Sequence, residues 1–219
     1  MSSARSIELL AILILVLAIA VVGNRRIRSG VWLYGMQSLA LGCIAALIAQ
    51  REHAPHIYIA AAAAILIKAI AIPNVIIYVM ARMEVRREVE SYLGIPSSLL
   101  VAASLSALAF YATDTTLNLG MGNHTLSSTL LGVSLACILI GFFLMINRKK
   151  ALSQVLGLSV MENGLFLAAI ALTSGMPLVI ELGVFFELLV GIMLMGILIF
   201  KIKESFDTIS TDSMRTLKD

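Results

Sequence analysis

The sequence predicts an all-α, polytopic membrane protein with seven transmembrane helices. Hydrophobic residues make up 60% of its 219 residues and charged residues only 13%, about half the charged fraction of an average soluble domain. The mean hydropathy is +0.99, which is incompatible with a water-exposed surface on so short a chain. The composition therefore excludes a soluble enzyme, a nucleic-acid-binding protein and a disulfide-stapled secreted domain.

Seven segments have the length and apolar character of a membrane-spanning helix, which needs about 20 residues. The first segment resembles a signal-peptide core, but no small-residue cleavage site follows it and three arginines lie on its C-terminal side. That flank is wrong for a cleaved signal, so we interpret the segment as a span. The predicted spans are 7–23, 31–49, 57–80, 97–113, 125–146, 151–173 and 177–200.

Basic residues are concentrated in alternate loops. The segments after spans one, three, five and seven each contain at least three of them, whereas the other side has only Arg5 and Arg51. Because cytoplasmic loops carry the excess of Lys and Arg, the N-terminus is predicted outside and the C-terminus in the cytoplasm. The expected location is the cell's inner (cytoplasmic) membrane, with lipid around the helices.

Four regions follow from this pattern. They are an N-terminal three-helix unit with an interfacial linker, 1–96; a connecting helix with an outside loop, 97–124; a second three-helix unit, 125–204; and a cytoplasmic tail, 205–219. The stretch 82–95 is too charged to span, so it predicts either a short interfacial helix or a solvated loop.

The two three-helix units share several marks. Gly35 and Gly42 in span two match Gly157 and Gly164 in span six, and similar polar and basic positions follow in each unit. A duplication in parallel orientation explains these marks. Chance likeness between apolar helices is the alternative.

Three ionisable residues lie near the centres of predicted spans: Lys68, Glu162 and Glu187. Because a charge there costs about 2.5–3.5 kcal/mol on insertion, we interpret them as a proton or ion pathway. A tight turn joins spans six and seven, so the two glutamates are expected to share a buried site, where desolvation favours a protonated carboxyl. Lys68 either carries a proton or pairs with a buried carboxylate. The alternative is a purely structural set of hydrogen bonds and ion pairs.

Neutral polar residues accompany these charges. Ser159 lies one turn before Glu162 on the same helical face and Asn163 lies next to it, so both are expected to support a carboxyl or a water molecule. Gln37 in span two is a further support, with structural hydrogen bonding as its favoured role. The sequence contains no recognisable catalytic, cofactor-binding or metal-binding motif, so we expect no such site in this chain.

Two short runs resemble the three-helix K subunit (chain 4L) of respiratory complex I: GLSVMENG at 157–164 and ELLVG at 187–191. That family carries one buried glutamate in its second helix and one in its third. Glu187 matches the third-helix position, which implies a role in proton transfer. In the second helix Ser159 occupies the family position, and the carboxylate appears as Glu162, about one turn later on the same face.

Over nearly its whole length the chain resembles the E component of hydrogenase-4, a membrane subunit of the formate hydrogenlyase type of group 4 [NiFe] hydrogenases. The resemblance rests on MENG at 161–164, on Lys68 followed by Pro73, and on MRTL at 214–217. It implies a hetero-oligomeric complex with antiporter-like subunits, a quinone-subunit homologue and a peripheral hydrogenase arm. The [NiFe] centre and iron–sulfur clusters are expected in those partners, and nucleic acid is not an expected partner.

Taken together, these features predict a non-catalytic subunit of a complex-I-like membrane oxidoreductase. It would carry part of a buried ionisable chain that couples redox chemistry to the movement of protons or sodium ions. Two alternatives stay open at this point. One is a subunit of a multi-subunit cation/proton antiporter without a redox partner, and the other is a structural membrane spacer.

Overall fold

The computed structural model describes residues 2–51, 58, 61–62, 64–82, 90–120, 125–173 and 196, and within them the chain is helical, without strands. A π-helical segment, Ala64–Ala71, runs directly into the third α-helix. The α-helices are α1, Ser2–Gly23; α2, Ile27–Arg51; α3, Ile72–Arg82; α4, Ile95–Gly120; α5, Thr125–Asn147; and α6, Ala151–Thr173.

Five of these helices are long and apolar enough to cross a membrane. Their candidate spans are Ala4–Gly23, Ile27–Arg51, Ile95–Thr115, Ser128–Asn147 and Leu152–Leu172. They confirm an all-helical, multi-pass membrane protein and agree with predicted spans one, two, four, five and six. Predicted span three corresponds to the shorter apolar helix Ile65–Tyr78. Predicted span seven lies outside the described residues apart from Gly196, so the total of seven spans and the orientation stay predictions.

The centre of the bundle is formed by α1, α2, α5 and α6. Helix α1 packs on α2, α4 and α5, while α2 packs on α6 and on the π-helical segment. Burial follows this arrangement, since 61% of the α6 span is buried but only 17% of the α4 span. The apolar residues on α4 that face outward, such as Leu100 and Tyr111, therefore suit contact with lipid or with another subunit.

Helices α5 and α6 approach each other backbone to backbone along a seam of glycines. A Cβ at Gly141 would lie 2.5 Å from the backbone nitrogen of Met161, and one at Gly164 would lie 2.8 Å from the carbonyl oxygen of Ser134. Small residues allow such contact in membranes, where van der Waals packing and hydrogen bonds replace hydrophobic association. The seam fixes the position of the α6 face that carries Glu162.

A second close contact places the π-helical segment against α2. Gly42 faces Ile65, and a Cβ at Gly35 would lie 3.3 Å from the carbonyl oxygen of Ala69. Pro73 has no N–H to donate to that carbonyl, which weakens the regular α-helical pattern just where the wider π-helix occurs. Gly35 and Gly42 of α2 thus face the third predicted span. Gly157 and Gly164 of α6, which match them in the suggested duplication, face α5 instead. The matching glycines therefore contact non-equivalent neighbours.

The loop before α4 is tied to the end of α5. Residues 90–94, part of the charged stretch 82–95, are not helical, and Ser91 forms an antiparallel bridge with Arg148. Asn147 accepts a hydrogen bond from the backbone N–H of Leu93 at 2.9 Å and donates one to Ser98 Oγ at 3.0 Å. This part of the stretch is therefore an ordered connection rather than an interfacial helix.

Candidate functional site

Lys68 and Glu162 form a buried ion pair inside the bundle. Lys68 Nζ lies 3.4 Å from Glu162 Oε1, and the two side chains are 0% and 4% exposed. Lys68 belongs to the π-helical segment and Glu162 to α6. Of the two roles that the sequence left open for Lys68, pairing with a buried carboxylate is thus present in the structure, and the partner belongs to the same chain.

An aromatic ring adds to the surroundings of the ammonium group. Lys68 Nζ lies 5.4 Å from the ring centroid of Phe166, which is within the range of a cation–π interaction. Phe166 follows Glu162 by four residues on α6, so both side chains project from one helical face. The lysine therefore meets a carboxylate and a ring that one turn of helix presents together.

A second polar cluster lies beside the ion pair and joins α6 to α2. Asn163 Nδ2 donates to Gln37 Oε1 at 3.2 Å and to Ser38 Oγ at 3.0 Å, and all three residues are buried. Gln37 Nε2 in turn donates to the carbonyl oxygen of Ile14 at 3.3 Å and to Cys137 Sγ at 3.8 Å. Because consecutive residues on a helix project about 100° apart, Glu162 and Asn163 serve different neighbours.

The structure brings together four of the six residues that the sequence singled out, in two neighbouring clusters. Lys68 meets Glu162, and Asn163 meets Gln37. Ser159 is buried, but its hydroxyl donates to the carbonyl oxygen of Val155 in its own helix at 3.0 Å. Its expected role as a support for the carboxyl therefore stays a prediction.

Glu187 lies outside the described residues, so the expectation that it shares a site with Glu162 is untested. Two members of the site were missed by the sequence analysis. Phe166 could have been identified from its spacing, four residues after Glu162, which places both on one helical face. Nothing in the sequence distinguishes Ser38, a serine next to Gln37. In the described residues no group of three or more His, Cys, Asp or Glu side chains is placed to hold a metal ion.

The arrangement places a proton donor beside a proton acceptor. The ammonium is a donor and the carboxylate an acceptor, and both are shielded from bulk water. Removing either partner leaves a buried charge, which costs about 3–5 kcal/mol for buried pairs of this kind. Each charge therefore depends on the other for its burial.

Comparisons with known proteins found a family match and a similar protein. Residues 129–219 match the family of NADH-ubiquinone/plastoquinone oxidoreductase chain 4L, and the matched region includes Glu162 and the glycines of α6. The uncharacterized protein Rv0085 of Mycobacterium tuberculosis is 30% identical over 207 residues, which cover 94% of this chain and 93% of that protein. No solved structure matches the chain.

The chain-4L match covers the C-terminal part of the chain and indicates a membrane subunit of a multi-subunit, complex-I-like oxidoreductase. The likeness to the mycobacterial protein extends over nearly all of both chains. The chain therefore belongs to the same family as Rv0085, and its C-terminal region is similar to chain 4L.

Proposed function

We propose that this chain is a non-catalytic membrane subunit of a complex-I-like, membrane-bound [NiFe] hydrogenase of the formate hydrogenlyase type. In this proposal it carries part of the buried ionisable chain that couples hydrogenase chemistry to proton or sodium translocation. Lys68 and Glu162 are its central stations, Glu187 is a further carrier, and Asn163 and Gln37 hold α6 against α2 beside the pair. The observation that carries the proposal is the ion pair between Lys68 and Glu162, buried inside an apolar bundle.

The free-energy cost of burying two charges supports a functional role for the ion pair. Apolar residues of similar volume often stabilise a protein as well as a buried ion pair does, or better. A charged pair inside a membrane bundle is therefore a costly way to hold helices together, and intramembrane ionisable residues commonly mark ion or proton routes. The glycine seam between α5 and α6 already supplies close helix packing without any charge.

The geometry suggests how one proton passes through the pair. A proton that arrives at Glu162 Oε1 neutralises the carboxylate and leaves the Lys68 ammonium without its counter-charge. The ammonium then releases a proton to the next acceptor, which leaves a neutral amine 3.4 Å from a protonated carboxyl. Transfer of that proton from Oε1 to Nζ restores the ion pair, so one proton has entered and one has left.

The experiment measures proton movement and redox turnover separately in the intact complex. Inverted membrane vesicles that contain the full complex are supplied with formate or hydrogen, and acidification is followed with a pH-sensitive dye. Glu162→Gln and Lys68→Met are expected to lower proton transport per turnover by about tenfold or more, while hydrogenase activity with an artificial electron acceptor stays close to wild type. Glu187→Gln is expected to act in the same way.

Asp114→Asn is the matched control, because it neutralises an exposed carboxylate near the end of α4. It is expected to transport protons normally. Full transport at unchanged turnover by both Glu162→Gln and Glu187→Gln would refute the proposal and favour a structural spacer. A mild-detergent pull-down of the tagged chain tests the complex itself, since antiporter subunits without a [NiFe] hydrogenase subunit would contradict the redox assignment.

A further inference from the structure

The π-helical segment and α3 present one row of side chains away from the other described helices. Leu66, Ile70, Asn74 and Tyr78 form this row, and all four are exposed. Because they are spaced four residues apart, they lie along one side of the helix. We call this row the Asn74 stripe. Lys68, on the opposite side, is buried against the bundle.

Asn74 lies at the depth of the hydrocarbon core of the membrane. Lys68 contacts Glu162, the middle residue of the α6 span Leu152–Leu172, so Lys68 lies near the midplane of the bilayer. Asn74 follows six residues later, which corresponds to a rise of about 9 Å along a helix. The hydrocarbon core extends about 15 Å from the midplane. The exposed amide of Asn74 therefore reaches neither bulk water nor the lipid headgroups.

The side-chain amide of Asn74 makes no hydrogen bond to any described residue. It carries two N–H donors and a carbonyl acceptor, and polar groups left unpaired in hydrocarbon are costly. The exposed hydroxyl of Ser104 on α4 avoids this cost, because it donates to the carbonyl oxygen of Leu100 in its own helix at 2.9 Å. Asn74 has no such contact, so its amide needs a partner that lipid tails cannot supply.

The surroundings of Asn74 suit close contact with another membrane helix. Ala71 is exposed one turn before Asn74, and small residues let helix backbones approach each other in membranes. Asn side chains hydrogen-bond across such contacts, while Ile70 and Tyr78 supply apolar area on either side. The family match indicates a multi-subunit membrane complex, so helices of partner subunits are available to cover the stripe.

We propose that the Asn74 stripe is the contact surface for a transmembrane helix of a partner subunit. The partner helix presents a hydrogen-bonding side chain to the Asn74 amide and apolar side chains to Leu66 and Ile70. The inference needs only a multi-subunit membrane complex, so it does not depend on the hydrogenase assignment or on the coupling role of the ion pair. The rival occupants are a second copy of this chain, its own predicted span seven, and lipid.

Photo-crosslinking in the membranes of the source cells identifies the occupant. The full chain is expressed with Ile70→p-benzoylphenylalanine, the membranes are irradiated, and the adducts are identified by mass spectrometry. The expected product joins this chain to a different integral membrane protein. An adduct of two copies of this chain, a cross-link to its own residues 177–200, or the absence of any protein adduct would overturn the proposal.

Asn74→Leu separates assembly from folding. It should leave the melting temperature of the purified full chain unchanged or higher, because the amide has no hydrogen bond to lose among the described residues. In mild detergent the variant should bind the cross-linked subunit about three- to twentyfold more weakly, as expected for one lost interhelical hydrogen bond. Gln50→Leu removes an exposed amide at the end of α2 and is the matched control, with wild-type binding expected. Wild-type binding by Asn74→Leu, or a lower melting temperature of the purified chain, would contradict the assignment.

Discussion

Breaking the ion pair from either side should destabilise the fold, and removing both partners should restore most of the loss. In Glu162→Gln the buried Lys68 loses its counter-charge. In Lys68→Met the buried Glu162 is left without its cation. Each single variant therefore leaves one charged group inside the bundle without compensation.

The size of each loss follows from the burial of the group that remains. Removing one partner of a buried ion pair and leaving the other uncompensated costs about 3–5 kcal/mol. The ring of Phe166, 5.4 Å from Lys68 Nζ, stays in place in Glu162→Gln and retains about 0.5–2 kcal/mol of cation–π stabilisation. We therefore expect each single variant to lose about 3–5 kcal/mol, with Glu162→Gln at the lower end of that range.

The assay is unfolding in mixed detergent micelles at pH 7, followed by circular dichroism. A thiol-reactive dye gives a second signal in a Cys43→Ser background, because Cys137 is fully buried and becomes reactive only when α5 separates from its neighbours. The free energy of unfolding of each variant is compared with that of the wild type. Agreement between the two signals tests whether the bundle unfolds as one unit.

The double variant Lys68→Met/Glu162→Gln is the control for both single variants. With both charges gone, its stability should return to within about 1 kcal/mol of the wild type. Proton transport should nevertheless stay low in this variant, which separates the role in coupling from the role in folding. A double variant no more stable than the single variants, or single variants as stable as the wild type, would refute the idea that the two groups compensate each other.

Three further outcomes follow from the packing and can be measured with the same dichroism assay. Gly141→Ala should destabilise the fold by about 1–3 kcal/mol, since its Cβ would meet the backbone of Met161 at 2.5 Å. The control Gly94→Ala should be nearly neutral, because no atom lies nearer than 3.8 Å to its Cβ. Equal effects of the two substitutions would contradict the glycine seam. Asn147→Ala should cost about 1–3 kcal/mol through two lost hydrogen bonds, and protease cleavage before α4 should increase. Asn163→Ala should cost a similar amount and lower proton transport; unchanged transport would limit this residue to a structural role.

The sequence identified the individual buried charged residues, but it predicted only in part which residues contact each other. Lys68 and Glu162 were identifiable because a charge inside an apolar helix is costly wherever the helix lies. Their pairing was one of two possibilities for Lys68, and the choice depended on the rotation of two helices about their axes. Ser38 gave no signal at all, since only its contact with Asn163 distinguishes it from other serines.

The sequence by itself determined that this protein is a helical membrane protein with charges buried in its spans. Those properties depend on the transfer free energy of each residue and on the requirement that backbone groups in lipid be paired within a helix. Only the tertiary structure decided which charges meet, because close contacts at Gly35 and Gly42 and the π-helical turn before Pro73 set the direction in which Lys68 projects. The same holds for Arg148, whose guanidinium donates to the carbonyl oxygens of Val21 and Val22 at the end of α1, a contact between residues far apart in the sequence.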